Sequence, residues 1–224
     1  MTGGRGWVAF AAPILLAAVL LTGAAAVEGL AKGRFRSGRV DELLYYPSGT
    51  MVREASLGYE TAAADLAWLR GIQYYGEHRL TDNRFDRIRH VMEIVSDLDP
   101  AFQEPYVFGG FVLAQEMNDP EAGLDLLKRG LNANPGSWEL AFEIGFLHYV
   151  CRRDYAAGAT YFALASRMPG HPQYVERFAA FAAQRAGQDQ VALLLWKRVL
   201  ATGNRYMQEV ARREIARLTK GVAS

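Results

Sequence analysis

The sequence predicts an all-α protein in which pairs of helices repeat, preceded by a single N-terminal transmembrane helix. One observation is a period of 35 residues, at which an aspartate recurs with an alanine three positions later and a bulky residue seven positions later. Another is a small residue that recurs upstream at the same spacing. Such a period is typical of stacked helix pairs that bury their apolar faces against one another. The recurring residues are Asp119, Asp154 and Asp189; Ala122, Ala157 and Ala192; Leu126, Tyr161 and Trp196; and Gly110, Gly145 and Ala180.

The pattern within one unit fits two helices joined by a short turn. Helices approach closely only where small side chains face each other, and Gly110 with Ala122, like Gly145 with Ala157, fits that requirement. The bulky residue one turn after each alanine lies on the same helix face and can fill the adjacent space. Each aspartate precedes the second helix of its unit, where its side chain can accept backbone N–H groups as an N-cap.

The stretch from Gly145 through Ala157 and Tyr161 to Pro169 resembles a tetratricopeptide repeat (TPR), which places a small residue, an alanine, an aromatic residue and a proline at these intervals. The sequence departs from the family pattern at Ala141, which occupies the usual tryptophan position. Its unit is also one residue longer than the family's usual length of about 34. The resemblance implies a solenoid of helical hairpins with a concave inner surface.

Three stretches upstream, YPSG at 46–49, SLGY at 56–59 and ADLAWLR at 64–70, are similar to a group of membrane-anchored bacterial TPR proteins of uncertain role. This resemblance implies a membrane tether and a place in the bacterial envelope. It implies no chemistry.

Residues 1–27 come first in the chain, and no charge interrupts residues 7–27. About twenty apolar residues suffice to cross the hydrocarbon core as a helix, so we predict a membrane anchor. A cleaved signal peptide is the alternative, because small residues at 24–26 offer a cleavage site. Basic residues between 32 and 39 favour a cytoplasmic repeat domain. The very short leader before the apolar helix favours a periplasmic one, and we expect a single-pass inner-membrane protein with periplasmic repeats.

Residues 28–58 are predicted to form a linker and a capping preamble. Glycines among basic residues indicate a membrane-proximal linker at the start of this region. The apolar stretches Leu43–Tyr46 and Met51–Leu57 are predicted as short extended pieces around a turn at Pro47–Gly49. We expect the preamble to cover the open face of the first helix pair.

Residues 59–204 are predicted to form a TPR-like array of about four helix pairs. The first pair comprises Tyr59–His78 and Phe85–Leu98, with a loop at 81–84 between them. Apolar residues at helical spacing are expected on the packed side of the first helix. They are Leu66, Leu69, Ile72 and Tyr75.

Residues 205–224 are predicted to form a C-terminal capping helix, centred on Tyr206–Leu218. Ala211, Ile215 and Leu218 share one side of this helix, and charged residues occupy the other. A helix that is apolar on one side only is suited to end an array.

Composition excludes several classes of function. The formal net charge is +1, from 25 Lys+Arg against 24 Asp+Glu, which lacks the basic excess of nucleic-acid-binding domains. The single cysteine, Cys151, excludes a disulfide within one chain and a cysteine-based zinc site. The histidines form no spaced ligand pair, and the chain has no nucleophile motif or phosphate-binding loop. We therefore predict no metal, no cofactor, no small-molecule substrate and no enzymatic activity, and interpret the pair Glu139 and Glu143 as solvated surface.

The TPR resemblance implies that the first helix of each pair lines the concave surface. The residues placed there are rich in aromatic groups with mixed charges beside them, which suits an extended or helical peptide with apolar anchors. The alternative is that these aromatic side chains are buried by the packing of the array itself. The predicted binding residues are Phe111, Phe142, Phe146, Tyr149, Phe181 and Arg177.

The sequence therefore favours a non-enzymatic, membrane-tethered scaffold that binds a protein partner of the bacterial envelope. By analogy with other anchored repeat proteins, it would assist assembly of a pilus, a secretion system or a transporter. One alternative is a structural subunit of a larger membrane complex that binds through its membrane helix or convex face. Another is an accessory domain of an enzyme complex, in which titratable residues would converge in one pocket.

Overall fold

The computed structural model describes Thr22 and residues 48–221, and every regular element in this part of the chain is helical. The all-α prediction is confirmed for these residues. The helices are α1 (Gly49–Ala55), α2 (Glu60–Leu80), α3 (Ile88–Leu98), α4 (Glu104–Phe111), which a π-helical turn (Val112–Glu116) continues, α5 (Pro120–Ala133), α6 (Trp138–Val150), α7 (Tyr155–Ala165), α8 (Gln173–Arg185), α9 (Asp189–Thr202) and α10 (Arg205–Gly221).

None of the helices within the described part of the chain is both long and apolar enough to span a membrane. The predicted membrane segment at residues 7–27 lies outside the described residues, apart from Thr22. The predicted linker and the apolar stretch Leu43–Tyr46 also lie outside them.

The helices contact one another in chain order. From α1 to α10, each helix packs against the next one along the chain. Helix α4 also contacts α6, and α1 also contacts α3. The contacts therefore run mainly between sequence neighbours, as a row of helix pairs requires.

One backbone turn recurs with the sequence period. Asn83, Asn118 and Arg153 have φ angles of 54°, 55° and 54°, and each stands 35 residues from the next. Positive φ is uncommon for residues other than glycine, so its recurrence at one spacing marks corresponding turns. The next helix begins two residues after Asn118 and Arg153 but five residues after Asn83, so the first turn is longer. The period therefore includes the first helix pair, which the side-chain pattern matches only loosely.

Two of the three predicted aspartate caps are confirmed. The carboxylate of Asp119 accepts the backbone N–H of Ala122 at 3.0 Å, and that of Asp154 accepts the N–H of Ala157 at 3.0 Å. The third prediction is wrong, because Asp189 is the first residue of α9 and makes no capping bond. The turn before it is one residue shorter, since positive φ falls at Gly187, one position early in the period.

The close contact between paired helices is made by glycines. A Cβ placed on Gly123 would lie 2.6 Å from the carbonyl oxygen of Gly110. The predicted partners of the first helices, Ala122 and Ala157, are therefore wrong by one residue, since Gly123 and Gly158 occupy the contacts. Without side chains, these glycines let the backbones of α4 and α5, and of α6 and α7, approach closely.

The predicted extended piece at Met51–Leu57 is wrong, because residues Gly49–Ala55 form helix α1. The Ser48 hydroxyl accepts the backbone N–H of Met51 at 3.4 Å and so caps the helix. A Cβ on Gly49 would lie 3.2 Å from the Cβ of Asp97 on α3, so the missing side chain lets α1 pack on α3. The guanidinium of Arg53 also donates to the Asp97 carbonyl oxygen.

The predicted packed side of helix α2 is correct at Ile72 and Tyr75, which are partly buried, and wrong at the two leucines. Leu66 and Leu69 are exposed, whereas Ala67 and Gly71 are buried. A Cβ on Gly71 would lie 2.6 Å from Cε of Met92 on α3. The two helices approach through small residues, and the leucines are therefore left on the outside.

The second helix of the first pair begins later than predicted. Helix α3 starts at Ile88, and Phe85 is buried in the loop before it. The hydroxyl of Tyr74 donates to the carbonyl oxygen of Arg84 at 3.2 Å and accepts the N–H of Arg87 at 3.3 Å. The Tyr74 hydroxyl thus satisfies two backbone groups of the loop, in a stretch that was predicted to be helical.

The amphipathic C-terminal helix is confirmed as α10. The Asn204 side chain accepts the backbone N–H of Met207 at 3.0 Å at its start. Ala211 is buried, and Ile215 and Leu218 are partly buried against the core, as the sequence pattern predicts. Residues 222–224 of the predicted capping segment lie outside the described residues.

Candidate functional site

The six predicted binding residues do not form one continuous surface. Phe111 is 45% exposed on α4. Arg177 on α8 is partly buried, with its guanidinium carbon 6.0 Å from the centre of the Phe178 ring. The other four lie on α6 and α8. Phe142 is buried in the core, and the remaining three are partly buried.

The predicted groove position of Phe142 is wrong, because only 8% of this residue is exposed. Its ring lies 5.1 Å from that of Phe162, 5.5 Å from that of Tyr174 and 5.2 Å from that of Phe178. Phe146 stacks on it at 6.5 Å and is partly buried. For Phe142 the alternative interpretation, burial by the packing of the helices, is therefore correct.

Tyr149 and Phe181 line a groove that also contains two arginine side chains. The ring of Tyr149 lies 5.1 Å from that of Tyr155, and the ring of Phe181 meets that of Trp196 edge-on at 4.7 Å. The groove has a volume of about 400 Å³. Its lining residues are Tyr149, Phe181, Gln184, Arg185 and Arg217.

Phe111 belongs to a different groove, which lies between α4 and α6 and is called the α4–α6 groove below. Its volume is about 430 Å³, and helices α4 and α6 contact each other beside it. Four of its lining residues are apolar and three carry carboxylates. Of the described residues that line it, none is basic. The lining residues are Trp68, Glu104, Val107, Phe108, Phe111, Glu139 and Glu143.

The aromatic wall of the α4–α6 groove is held by ring contacts from outside it. The Trp68 ring meets the rings of Phe102 and Phe108 edge-on at 5.6 Å and 5.5 Å. Tyr75 contacts Phe108 in the same geometry at 5.0 Å. Edge-to-face pairs of this kind stabilise one ring arrangement, so Trp68 and Phe108 are held in place before any partner binds. Phe111 is more exposed and takes no part in these ring contacts.

Glu143 is the carboxylate that the groove buries most deeply. Burial, together with the negative charge of Glu139, raises the pKa of Glu143 to about 7. Among the described residues, no side chain or backbone group forms a hydrogen bond or ion pair with its carboxyl group. The interpretation of this pair as solvated surface is therefore wrong for Glu143 and holds only for Glu139, which is exposed.

Trp68 and Glu143 were not predicted as site residues. Glu143 follows Glu139 by one helical turn and precedes Phe146 by three residues, so it shares the helix face on which the aromatic groove was expected. This spacing could have placed it in the site. Trp68 has no comparable signal, because it reaches the groove from α2 by a long-range contact.

The described residues hold no group of three or more His, Cys, Asp and Glu side chains arranged as metal ligands. Cys151 is partly exposed, its Sγ lies 3.1 Å from Nε2 of Gln115, and burial raises the pKa of its thiol. A raised pKa keeps the thiol protonated at neutral pH and lowers its reactivity.

No protein family and no curated protein matches this chain.

Proposed function

We propose that this chain is a non-enzymatic protein-interaction scaffold of the bacterial envelope, a TPR-like solenoid tethered to the inner membrane. The observation that carries the proposal is the α4–α6 groove, in which Phe111 and Trp68 offer aromatic surface beside three carboxylates. Aromatic side chains in a preformed groove are the usual anchors of protein interfaces. The recurring turn at Asn83, Asn118 and Arg153 supports the solenoid part of the proposal.

The partner would be a protein of a membrane-associated complex, which serves assembly of a pilus, a secretion system or a transporter. The test is affinity capture from detergent-solubilised envelope with the wild-type chain and with Phe111→Ala. Loss of a central anchor should weaken binding by around thirtyfold, corresponding to about 2 kcal/mol. Leu80→Ala is the matched control, because Leu80 is also an exposed apolar residue but lies outside the groove lining. Equal capture by wild type and Phe111→Ala would show that the α4–α6 groove does not contact the partner.

The tether is proposed at residues 7–27, with the helical domain in the periplasm. A reporter that is active only outside the cytoplasm, fused after Ser224, should be active. N-terminal sequencing should recover residues 1–27 on the membrane-bound protein. An inactive reporter would favour the cytoplasmic side, as the basic residues at 32–39 predict. An N-terminus that begins near Val27 would indicate a cleaved signal peptide.

A second candidate function is a structural subunit of a larger membrane complex that binds through another face. A groove between α7 and α9 favours it, because its lining is mostly apolar and includes the exposed residues Leu164 and Val191. In the same capture experiment, Val191→Ser would lose the partner and Phe111→Ala would retain it if this candidate is correct.

A further inference from the structure

The α4–α6 groove combines apolar walls with unbalanced negative charge. Trp68 and Phe111 supply aromatic surface, and Glu104, Glu139 and Glu143 supply carboxylates. No arginine or lysine belongs to the described lining, so the groove itself does not neutralise these charges. A ligand that enters must therefore bring positive charge to pair with them and apolar surface to cover the walls.

Glu143 indicates where in the groove the positive charge of a ligand would bind. Its carboxyl group is partly buried, stands one turn from the carboxylate of Glu139, and has no ion-pair partner among the described residues. A cation placed beside both carboxylates would relieve their mutual repulsion, and partial burial would strengthen the attraction. The nearby aromatic faces of Trp68 and Phe111 also attract cations, arginine and lysine among them.

The groove at Tyr149 and Phe181 differs in charge from the α4–α6 groove, so the negative charge is confined to one of the two. Arg185 and Arg217 line the groove at Tyr149 and Phe181. Glu214 lies 3.6 Å from Arg217 and offsets its charge, so Arg185 gives this groove its positive charge, whereas the α4–α6 groove is negative. Charge complementarity selects between partners mainly by rejecting like charges. An acidic segment would be repelled from the α4–α6 groove, whereas a basic one would be accepted.

We infer that the α4–α6 groove binds a protein segment in which a lysine or arginine is flanked by aromatic or long aliphatic residues, its charge lying between Glu139 and Glu143 and its apolar neighbours on Trp68 and Phe111. The inference rests on the proposed scaffold function and specifies the chemistry of its partner. A segment of this kind presents charge and apolar surface within a few residues, as an extended or helical peptide does.

The test is run at about pH 8.5, where Glu143 is ionised. It uses the full chain in nanodiscs of zwitterionic lipid and a short fluorescein-labelled peptide that alternates lysine with leucine and phenylalanine. One comparison peptide has glutamate in place of every lysine, and another has serine in place of every apolar residue. Fluorescence anisotropy should detect binding of the first peptide only, above the signal from empty nanodiscs. Glu143→Gln and Phe111→Ala should each weaken it by about tenfold, because each removes one of the two required features.

Glu77→Gln is the matched control, since Glu77 is an exposed glutamate on α2 outside the groove lining and its change removes the same charge. Circular dichroism of each variant verifies folding, and Glu139→Gln provides a second charge variant if Glu143→Gln does not fold. Equal binding of the glutamate peptide or the serine peptide would overturn the inference. Unchanged binding by folded Glu143→Gln would do the same.

Failure of this inference can be told apart from failure of the proposed function. Capture of an envelope partner that depends on Phe111, without binding of the lysine peptide, would overturn the inference and leave the scaffold function standing.

Discussion

Gly145 and Gly158 contact each other across α6 and α7: a Cβ placed on either glycine would lie 3.2 Å from the carbonyl oxygen of the other. A Cβ on Gly145 would also lie 2.9 Å from the ring of Phe162, which is fully buried. Neither a backbone carbonyl nor a buried ring can move easily, so this contact admits glycine alone.

Gly145→Ala should therefore lower the free energy of unfolding by about 1–3 kcal/mol through overpacking. Gly76→Ala is the control, because Gly76 lies within α2 and a Cβ there would have no atom within 4 Å. Alanine should stabilise that position by about 0.5–1 kcal/mol through helix propensity. Urea unfolding followed by circular dichroism would measure both, and a neutral Gly145→Ala would contradict the close contact.

The aspartate caps should differ in energy although the sequence pattern treats them alike. Asp119→Ala and Asp154→Ala should each destabilise the chain by about 1 kcal/mol, because each removes a capping bond. Asp189→Ala should cost only a few tenths of a kcal/mol, the usual contribution of an acidic residue in a first helical turn. Thermal unfolding of the three variants gives the comparison, and equal losses would show that Asp189 also caps its helix.

Variants of Phe142 and Phe111 should distinguish a residue that stabilises the fold from one that binds a partner. Phe142→Ala should lower the free energy of unfolding by about 3–5 kcal/mol, as expected for a buried aromatic side chain. Phe111→Ala should change it by no more than about 0.5 kcal/mol, because Phe111 is an exposed residue. If Phe111→Ala unfolds as readily as Phe142→Ala, then Phe111 is a core residue and any loss of capture has a structural cause.

Glu143 should make stability depend on pH. Its pKa is about 7 in the folded chain against an ordinary value of 4.5, so between these values the folded state holds a proton that the unfolded state releases. The contribution of Glu143 to stability is therefore largest below pH 4.5 and is lost as pH rises from 4.5 to about 7, by about 3 kcal/mol in total. Glu143→Gln should remove this fall, and urea midpoints across the range would measure it.

Glu77→Gln should leave that fall in place, since Glu77 is exposed outside the groove. A variant Glu143→Gln whose stability still falls with the wild-type slope would show that another group titrates. Among the described residues, Glu104, Glu139 and Tyr174 are the other ionisable groups that face Glu143 or line its groove, and Glu139→Gln would test the nearest carboxylate on the same helix.

The repeating features could be predicted because their causes are local in sequence. A cap such as Asp119 bonds three residues ahead, so the spacing of the pattern and the hydrogen bond coincide. The contact at Gly158 was assigned to Ala157 because both residues are small and adjacent, and periodicity does not distinguish between them. The predicted cap at Asp189 is wrong because the turn at Gly187 is one residue shorter than the corresponding turns. The spacing of the side chains does not reveal this change in the backbone.

The remaining features depend on long-range packing. Leu66 and Ala67 are neighbours in α2, and only the approach of α3 determines that the alanine is buried and the leucine exposed. Phe142 was predicted in the groove because the family geometry placed it there, whereas rings from α7 and α8 enclose it. Glu143 becomes partly buried in a groove to which Trp68 on α2 contributes, and no local pattern contains that information.

The turns at Asn118 and Arg153 match, because in each the next helix begins two residues after the residue with positive φ, and they act as equivalent junctions between helix pairs. A second copy of residues 119–153, spliced in after Arg153, would enter through the turn at Arg153 and leave through an identical turn of its own. Excision of the same stretch would likewise join Asn118 to Asp154 through an unchanged backbone conformation. Insertion of whole units would therefore increase the separation between the acidic groove and the basic one, whereas excision would remove Glu139, Glu143 and Tyr149 and with them part of both groove linings.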